Sequence, residues 1–229
     1  MTELKNIKVR CSKLGDLFTN ARTKKAQEEG QLSETSKTLV RDLWLANELQ
    51  FKEPVATKQM IKGLTQEQDS MKLASSVLGG FRMRYAEQLQ NEFLTGTPDI
   101  VLEDCVEDIK TSWNIRTFMN AELSKAYERQ LQGYMMLTGM KQARLIYCLI
   151  PTSEDQVRED CKSFWFKYGQ DSPDYLEAER QLYHNNNIIT RIPEENRVKV
   201  FEIERDEAFV DEVKARVENV RKFYESLTL

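Results

Sequence analysis

The segment Ala143–Ile150, ARLIYCLI, is a nearly continuous apolar run closed by Pro151. A run of this length with no polar alternation fits a strand covered on both faces, so it predicts the buried central strand of a sheet. The rest of the chain must then supply neighbouring strands and helices to bury it. Val198–Ile203 reads as one further strand, and the stretch from about Tyr85 to Thr111 alternates like an antiparallel meander with turns at Gly96-Thr97-Pro98 and Glu103-Asp104. Helical patterns surround these strands. They run from Ser12 to Ala21, from Ser33 to Phe51, from Thr57 to Leu78 with an interruption at Gly63 and a stop at Gly79-Gly80, from Ser124 to Leu137, over 153–187 and from Asp206 to Leu227. Residues 22–32 read as a loop, and Pro54 marks a break. The order of helices, strand meander, helix, strand, helical segment, strand and helix predicts an α/β fold, a mixed sheet flanked by helices. We expect one domain over 1–229, with an N-terminal helical part over about 1–80 and a helical insertion over about 153–190.

Composition narrows the chemistry. The chain of 229 residues has one histidine, His184, so a catalytic histidine pair or a His-based triad is nearly excluded. Its four cysteines, Cys11, Cys105, Cys148 and Cys161, form no Cys-x-x-Cys pair, which argues for ordinary reduced thiols over a zinc or iron–sulfur site. What remains is carboxylate, lysine and metal chemistry. The net charge of −4 disfavours a protein that coats nucleic acid, yet basic residues gather near the N-terminus (Lys5, Lys8, Arg10, Lys13, Arg22, Lys24, Lys25), which leaves room for a local phosphate-binding surface. With no apolar N-terminal run and no membrane-length segment, the expectation is a cytoplasmic protein.

Within the meander, Pro98-Asp99 is followed by Asp108-Ile109-Lys110. Alternation along a strand puts Asp108 and Lys110 on one face and turns Ile109 to the other, toward the core. Asp99 begins the preceding strand, so two carboxylates converge with one ammonium group. Such a set suits a hard divalent cation, Mg²⁺ or Mn²⁺, that polarises a phosphate and activates water, with Lys110 orienting that water or stabilising developing negative charge. The plainer reading of the same triplet is a surface strand with a salt bridge. Gln130 and Tyr134, four apart on the next helix, share a face and can hydrogen-bond a phosphate or a metal-bound water. Glu67, downstream of Lys62-Gly63, offers a third carboxylate from outside the sheet, or is simply a solvated helix residue. Trp113, three residues past Lys110, reads as packing or as the border of a DNA groove.

Gly96-Thr97-Pro98-Asp99, Glu107-Asp108-Ile109-Lys110 and the Gln130/Tyr134 pair, in that order, resemble the PD-(D/E)xK nuclease superfamily. Lys62-Gly63 with Glu67, and Ile203-Glu204-Arg205-Asp206-Glu207 leading into the last helix, make the chain most similar to the phage lambda-type exonuclease and viral recombinase branch. The resemblance implies a restriction-endonuclease-like core in which Glu67, Asp99, Asp108 and the Ile109 carbonyl are metal ligands. By the same resemblance Lys110 is catalytic and Gln130 positions the scissile phosphate or the attacking water. Arg10-Cys11-Ser12 resembles that branch's early serine segment, which makes Ser12 and Arg10 candidate DNA contacts along with Trp113 and Tyr134. The implied activity is a double-strand DNA exonuclease of phage-type recombination, working from a 5′ end. The implied partners are DNA, a single-strand annealing protein and further copies of the chain in a trimeric ring, in a host cytoplasm where the gene is phage-borne. The chain departs from the branch in having Asp108 where Glu is frequent, and in the polar helical segment over 153–187. The alternatives are an endonuclease on the same core, a catalytically silent DNA-binding relative, and an unrelated α/β protein with a chance motif.

Overall fold

The apolar run becomes an interior strand, as its composition dictates. A computed structural model describes residues 6–51, 57–170 and 172–229; Pro54 lies outside the described residues. The strands are β1 (Val9–Arg10), β2 (Leu89–Gln90), β3 (Leu94–Gly96), β4 (Ile100–Val101), β5 (Cys105–Thr111), β6 (Gln142–Cys148) and β7 (Val198–Glu204). The helices are α1 (Leu14–Leu17), α2 (Lys24–Glu28), α3 (Glu34–Glu48), α4 (Lys58–Thr65), α5 (Glu67–Leu78), α6 (Ile115–Met119), α7 (Lys125–Thr138), α8 (Glu154–Tyr168), α9 (Pro173–Arg191) and α10 (Glu207–Glu225).

The main sheet has the order β4-β5-β6-β7. Strands β5 and β6 are parallel, with Asp108 opposite Leu145 and Lys110 opposite Tyr147. Both outer pairs, β4 with β5 and β6 with β7, are antiparallel. The mixed sheet flanked by helices is therefore the architecture that the order of elements predicts. Only parallel β5 and β6 need a crossover, and α7 supplies it. The meander is not one unit, however. Its first half, β2 and β3, joins β1 in a small separate sheet of order β1-β3-β2, in which β1 runs parallel to β3. The pairing that divides it is made with Val9 and Arg10, far away in sequence.

Each face of the main sheet has its own core. Val106, Ala143 and Leu145 pack with Leu131 and Met135 of α7, with Leu14 and Leu17, and with Val213, Val217 and Val220 of α10. On the other face Ile100, Ile109, Ile146 and Cys148 pack against Met71, Leu73 and Ala74 of α5. Leu145 and Ile146 are adjacent, opposite in direction and both fully buried, which is why the run shows no polar alternation.

Two glycines let the small sheet and α7 approach closely. A Cβ at Gly133 would stand 2.7 Å from Leu14 Cδ1 and 2.9 Å from Cys11 Sγ, and one at Gly96 would stand 2.9 Å from Tyr134 Cε1. Helix α7 itself is delimited by Ser124, whose side chain accepts from Tyr127 N–H, and by Gly139 in the left-handed region.

The helix expected over Thr57–Leu78 is in fact two, α4 and α5, parted at Gln66. Gly63 is not the cause. Gln66 Nε2 donates to Pro151 O at 2.5 Å, and Lys62 Nζ donates to Trp113 O at 3.0 Å and to Ile150 O at 3.1 Å. These bonds fasten the end of α4 to the carboxyl ends of β5 and β6, and α5 starts afresh from there. The expected Ser12–Ala21 helix is shorter too, one 3-10 turn (Cys11–Lys13) followed by α1. Residues expected as a loop include α2, capped by Thr23, whose side chain accepts from Ala26 N–H at 3.2 Å.

Candidate active site

Strand β5 sorts its side chains as alternation requires. Ile109 enters the α5 core, while Asp108 and Lys110 face α7. Asp108 is 1% exposed, and Lys110 Nζ lies 2.6 Å from its Oδ2. Helix α7 meets this pair through Gln130, whose Nε2 donates to Asp108 Oδ1 at 2.9 Å and to the Tyr134 hydroxyl at 3.0 Å. Asp108 Oδ2 is engaged by the Lys110 ammonium, as a close ion pair.

Asp99, in the turn between β3 and β4, is joined to β5 directly. Its Oδ2 accepts the Ile109 N–H at 2.7 Å. Burial and the neighbouring Asp108 charge push its carboxyl up to about 7, against the lowering effects of Lys110 and the Ile109 N–H. Lys110 is held above its ordinary value, since the charges of Asp108 and Asp99 together outweigh the cost of its burial. Its ammonium also sits 5.2 Å from the centre of the Tyr127 ring.

The structure thus brings Asp99, Asp108, Ile109, Lys110, Gln130 and Tyr134 together. Glu67, the first residue of α5, is close enough for its charge to raise Asp99, but its carboxylate is paired with Arg84 at 3.2 Å. Among the described residues no group of three or more Asp, Glu, Cys or His side chains is placed to hold a metal ion, so the acidic set here is Asp99 and Asp108. Tyr134 is 5% exposed, and its hydroxyl meets Gln130, so its observed contact is with the site's own framework. Arg10 and Ser12 are exposed. Arg10 lies opposite Thr95 on β3, at the start of the Gly96–Asp99 turn. Trp113 is half-buried beyond the end of β5, with Lys62 Nζ 5.8 Å from its ring centre.

Two contributors were not picked out from the sequence. Tyr127 stands under Lys110, and its spacing of three and seven from Gln130 and Tyr134 was the available signal. Glu107, inside the quoted motif, is fully buried on the face opposite Asp108. Arg82 Nε donates to its Oε2 at 2.7 Å and Arg82 Nη2 to its Oε1 at 3.0 Å. This bidentate pair holds β5 from behind, and no local pattern links residues so far apart. The four cysteines are all buried and free. Burial pushes Cys11 and Cys148 up to about 12 and Cys105 to about 11, so they are not nucleophiles at neutral pH.

The donor set suits a hard divalent cation. It offers the buried Asp108 carboxylate, whose Oδ2 is paired with the Lys110 ammonium at 2.6 Å, and beside it an Asp99 carboxyl that burial and the Asp108 charge hinder from ionising. A cation there would favour the ionised form of Asp99.

No family model and no curated protein matches the chain. Among solved structures, a phage-related exonuclease from Haemophilus somnus 129PT superposes over 96% of this chain and 94% of its own, with a TM-score of 0.78 and 27% identity. The fold is that of a phage-type exonuclease. An alkaline exonuclease, LHK-Exo from Laribacter hongkongensis, superposes over 96% of this chain and 88% of its own, with a TM-score of 0.63 and 16% identity. LHK-Exo in complex with dAMP superposes equally well, with a TM-score of 0.63 and 15% identity. The resemblance carried by the Pro98-Asp99, Asp108-Ile109-Lys110 and Gln130/Tyr134 motifs is thus matched by the fold in which they sit.

Proposed function

We propose that this chain is a divalent-metal-dependent deoxyribonuclease, an exonuclease that hydrolyses phosphodiester bonds of duplex DNA. The observation that carries the reading is the convergence of Asp99, Asp108 and Lys110 beside Gln130, within a fold shared with a phage-related exonuclease at 27% identity. Asp99, Asp108 and the Ile109 carbonyl would hold Mg²⁺ or Mn²⁺, with Glu67 joining once released from Arg84. The bound ion would supply Lewis acidity at the phosphate and acidify a water.

The chain's own residues do the rest. Gln130 fixes the Asp108 carboxylate through Oδ1, so that Oδ2, paired with Lys110, would turn to the cation without the carboxylate losing its orientation. The Ile109 N–H fixes Asp99 in the same way. The Lys110 side chain is 26% exposed, so its ammonium can reach the scissile phosphate and offset charge developing on it. Arg10, Ser12 and Trp113 would contact DNA around this centre. The resemblance further suggests attack from a 5′ end, ring assembly of the chain and a single-strand annealing partner. No helix among the described residues is long and apolar enough to cross a membrane.

Digestion of linear 5′-phosphorylated duplex beside closed circular duplex, each with Mg²⁺ or EDTA, tests the class. Metal-dependent loss of the linear DNA alone is expected. Nicking of the circle would replace the exonuclease with an endonuclease, and binding without cleavage in Mg²⁺ or Mn²⁺ would point to a silent relative.

A further inference from the structure

A cavity of about 770 Å³ opens beyond the carboxyl ends of β5 and β6, between α6, α8 and α9. Carboxyl ends of parallel strands are where α/β sheets bind ligands, and the volume lies in the range of small-molecule sites. Its walls are fixed by ties that the metal site does not use. Lys58 Nζ meets Asp160 Oδ1 at 2.7 Å, joining α4 to α8. Asn186 accepts from Thr152 N–H at 2.6 Å and donates to Thr152 O at 3.0 Å, joining α9 to the end of β6. Lys62 holds the Trp113 and Ile150 carbonyls. The cavity is therefore preformed.

Its lining has a definite chemistry. Trp113 and Phe164 present aromatic surface, Asn120 and Asn185 carry amides at exposed positions, and Arg116 adds an exposed cation. Asn185 Oδ1 is taken by Gln181, which leaves its amide N–H groups free to donate outward. Aromatic rings stack on bases of any sequence, carboxamides bond base edges, and arginine meets phosphate. Trp113 and Asn114 line the cavity just past the end of β5, the strand that carries Asp108 and Lys110.

We infer that this cavity binds an unstacked nucleobase of single-stranded DNA running past the Asp108–Lys110 centre. The inference rests on the nuclease reading and adds to it a binding site for an unpaired strand. A helical segment of a protein partner is the competing occupant; it would use the apolar walls but has no need of the rim amides.

The test is fluorescence anisotropy in EDTA, where nothing is cut. One duplex is prepared blunt, with a four-nucleotide single-stranded extension on either end polarity, and with the same extension made abasic. The wild-type protein should bind at least one extended duplex about tenfold more tightly than the blunt one. The abasic extension, which keeps every phosphate, should lose most of that gain, as should Asn185→Trp, which plugs the rim, and Trp113→Leu. If Asn185→Trp does not fold, Asn120→Trp carries the same test. Absence of the gain in wild type, its persistence with the abasic extension, or its persistence in the plugged variant overturns the inference. Digestion of linear DNA by wild type in Mg²⁺ is measured alongside. Cleavage without the gain defeats the cavity alone, whereas no cleavage defeats the nuclease reading beneath it.

Discussion

Gln130 donates one hydrogen bond of 2.9 Å to Asp108 Oδ1 and leaves Oδ2 with only the Lys110 charge beside it. A helix residue and a strand lysine thus each hold one oxygen of the same strand carboxylate. Gln130→Ala should lower kcat/KM about tenfold to a hundredfold, the usual cost of losing a group that orients a metal ligand. The weakening should appear in Mn²⁺ affinity by calorimetry, and unchanged affinity and rate would show that the bond orients nothing.

The burial of Asp99 beside the Asp108 charge has a pH signature. Folding raises the Asp99 carboxyl to about 7, so between the ordinary carboxylate range and 7 the folded protein holds a proton that the unfolded chain releases. Stability of the metal-free protein should fall as pH rises through that window and level off above it. Asp99→Asn should remove this part of the slope and raise Tm at pH 8 in EDTA, and Mn²⁺ should raise the wild-type Tm at pH 8 while helping the variant far less. Thermal melts at pH 5 and 8 check this; parallel slopes for the two proteins would contradict it.

Behind β5, the Arg82–Glu107 pair is buried at 4% and 0% side-chain exposure. Removing Arg82 leaves the buried Glu107 carboxylate with only the longer contact to Arg144 Nη1 at 3.6 Å, so Arg82→Ala should cost about 3 kcal/mol in urea unfolding. Arg82→Met with Glu107→Leu should recover much of that loss. A single variant within about 0.5 kcal/mol of wild type would show that water reaches the pair.

Close approach of α7 to the N-terminal segment depends on Gly133. With Leu14 Cδ1 2.7 Å and Cys11 Sγ 2.9 Å from where a Cβ would stand, Gly133→Ala should destabilise by about 1–3 kcal/mol, outweighing the better helix propensity of alanine. Equilibrium unfolding decides it, and a gain in stability would contradict the packing.

What the sequence made legible was local in origin. Alternation along β5 put Asp108 and Lys110 on one face, and a four-residue spacing on α7 put Gln130 beside Tyr134. What it concealed was made by distant partners. Gln66 parts α4 from α5 because Pro151 offers it a carbonyl, Glu107 is an anchor because Arg82 reaches it, and β3 leaves the meander because Val9 and Arg10 pair with it. Glu67 was foreseen as a third carboxylate, but its pairing with Arg84 was not, since an exposed arginine that far along the chain leaves no periodic signal.

The most direct measurement is single-turnover cleavage of a linear 5′-phosphorylated duplex in Mg²⁺ by wild type and by Lys110→Ala, with DNA affinity measured in EDTA on the same preparations. The account predicts a rate at least about a hundredfold lower in the variant, the scale of losing one charge-stabilising donor, with DNA affinity within a few-fold of wild type. A variant that cuts as fast as wild type would contradict the assignment of the site to Asp99, Asp108 and Lys110.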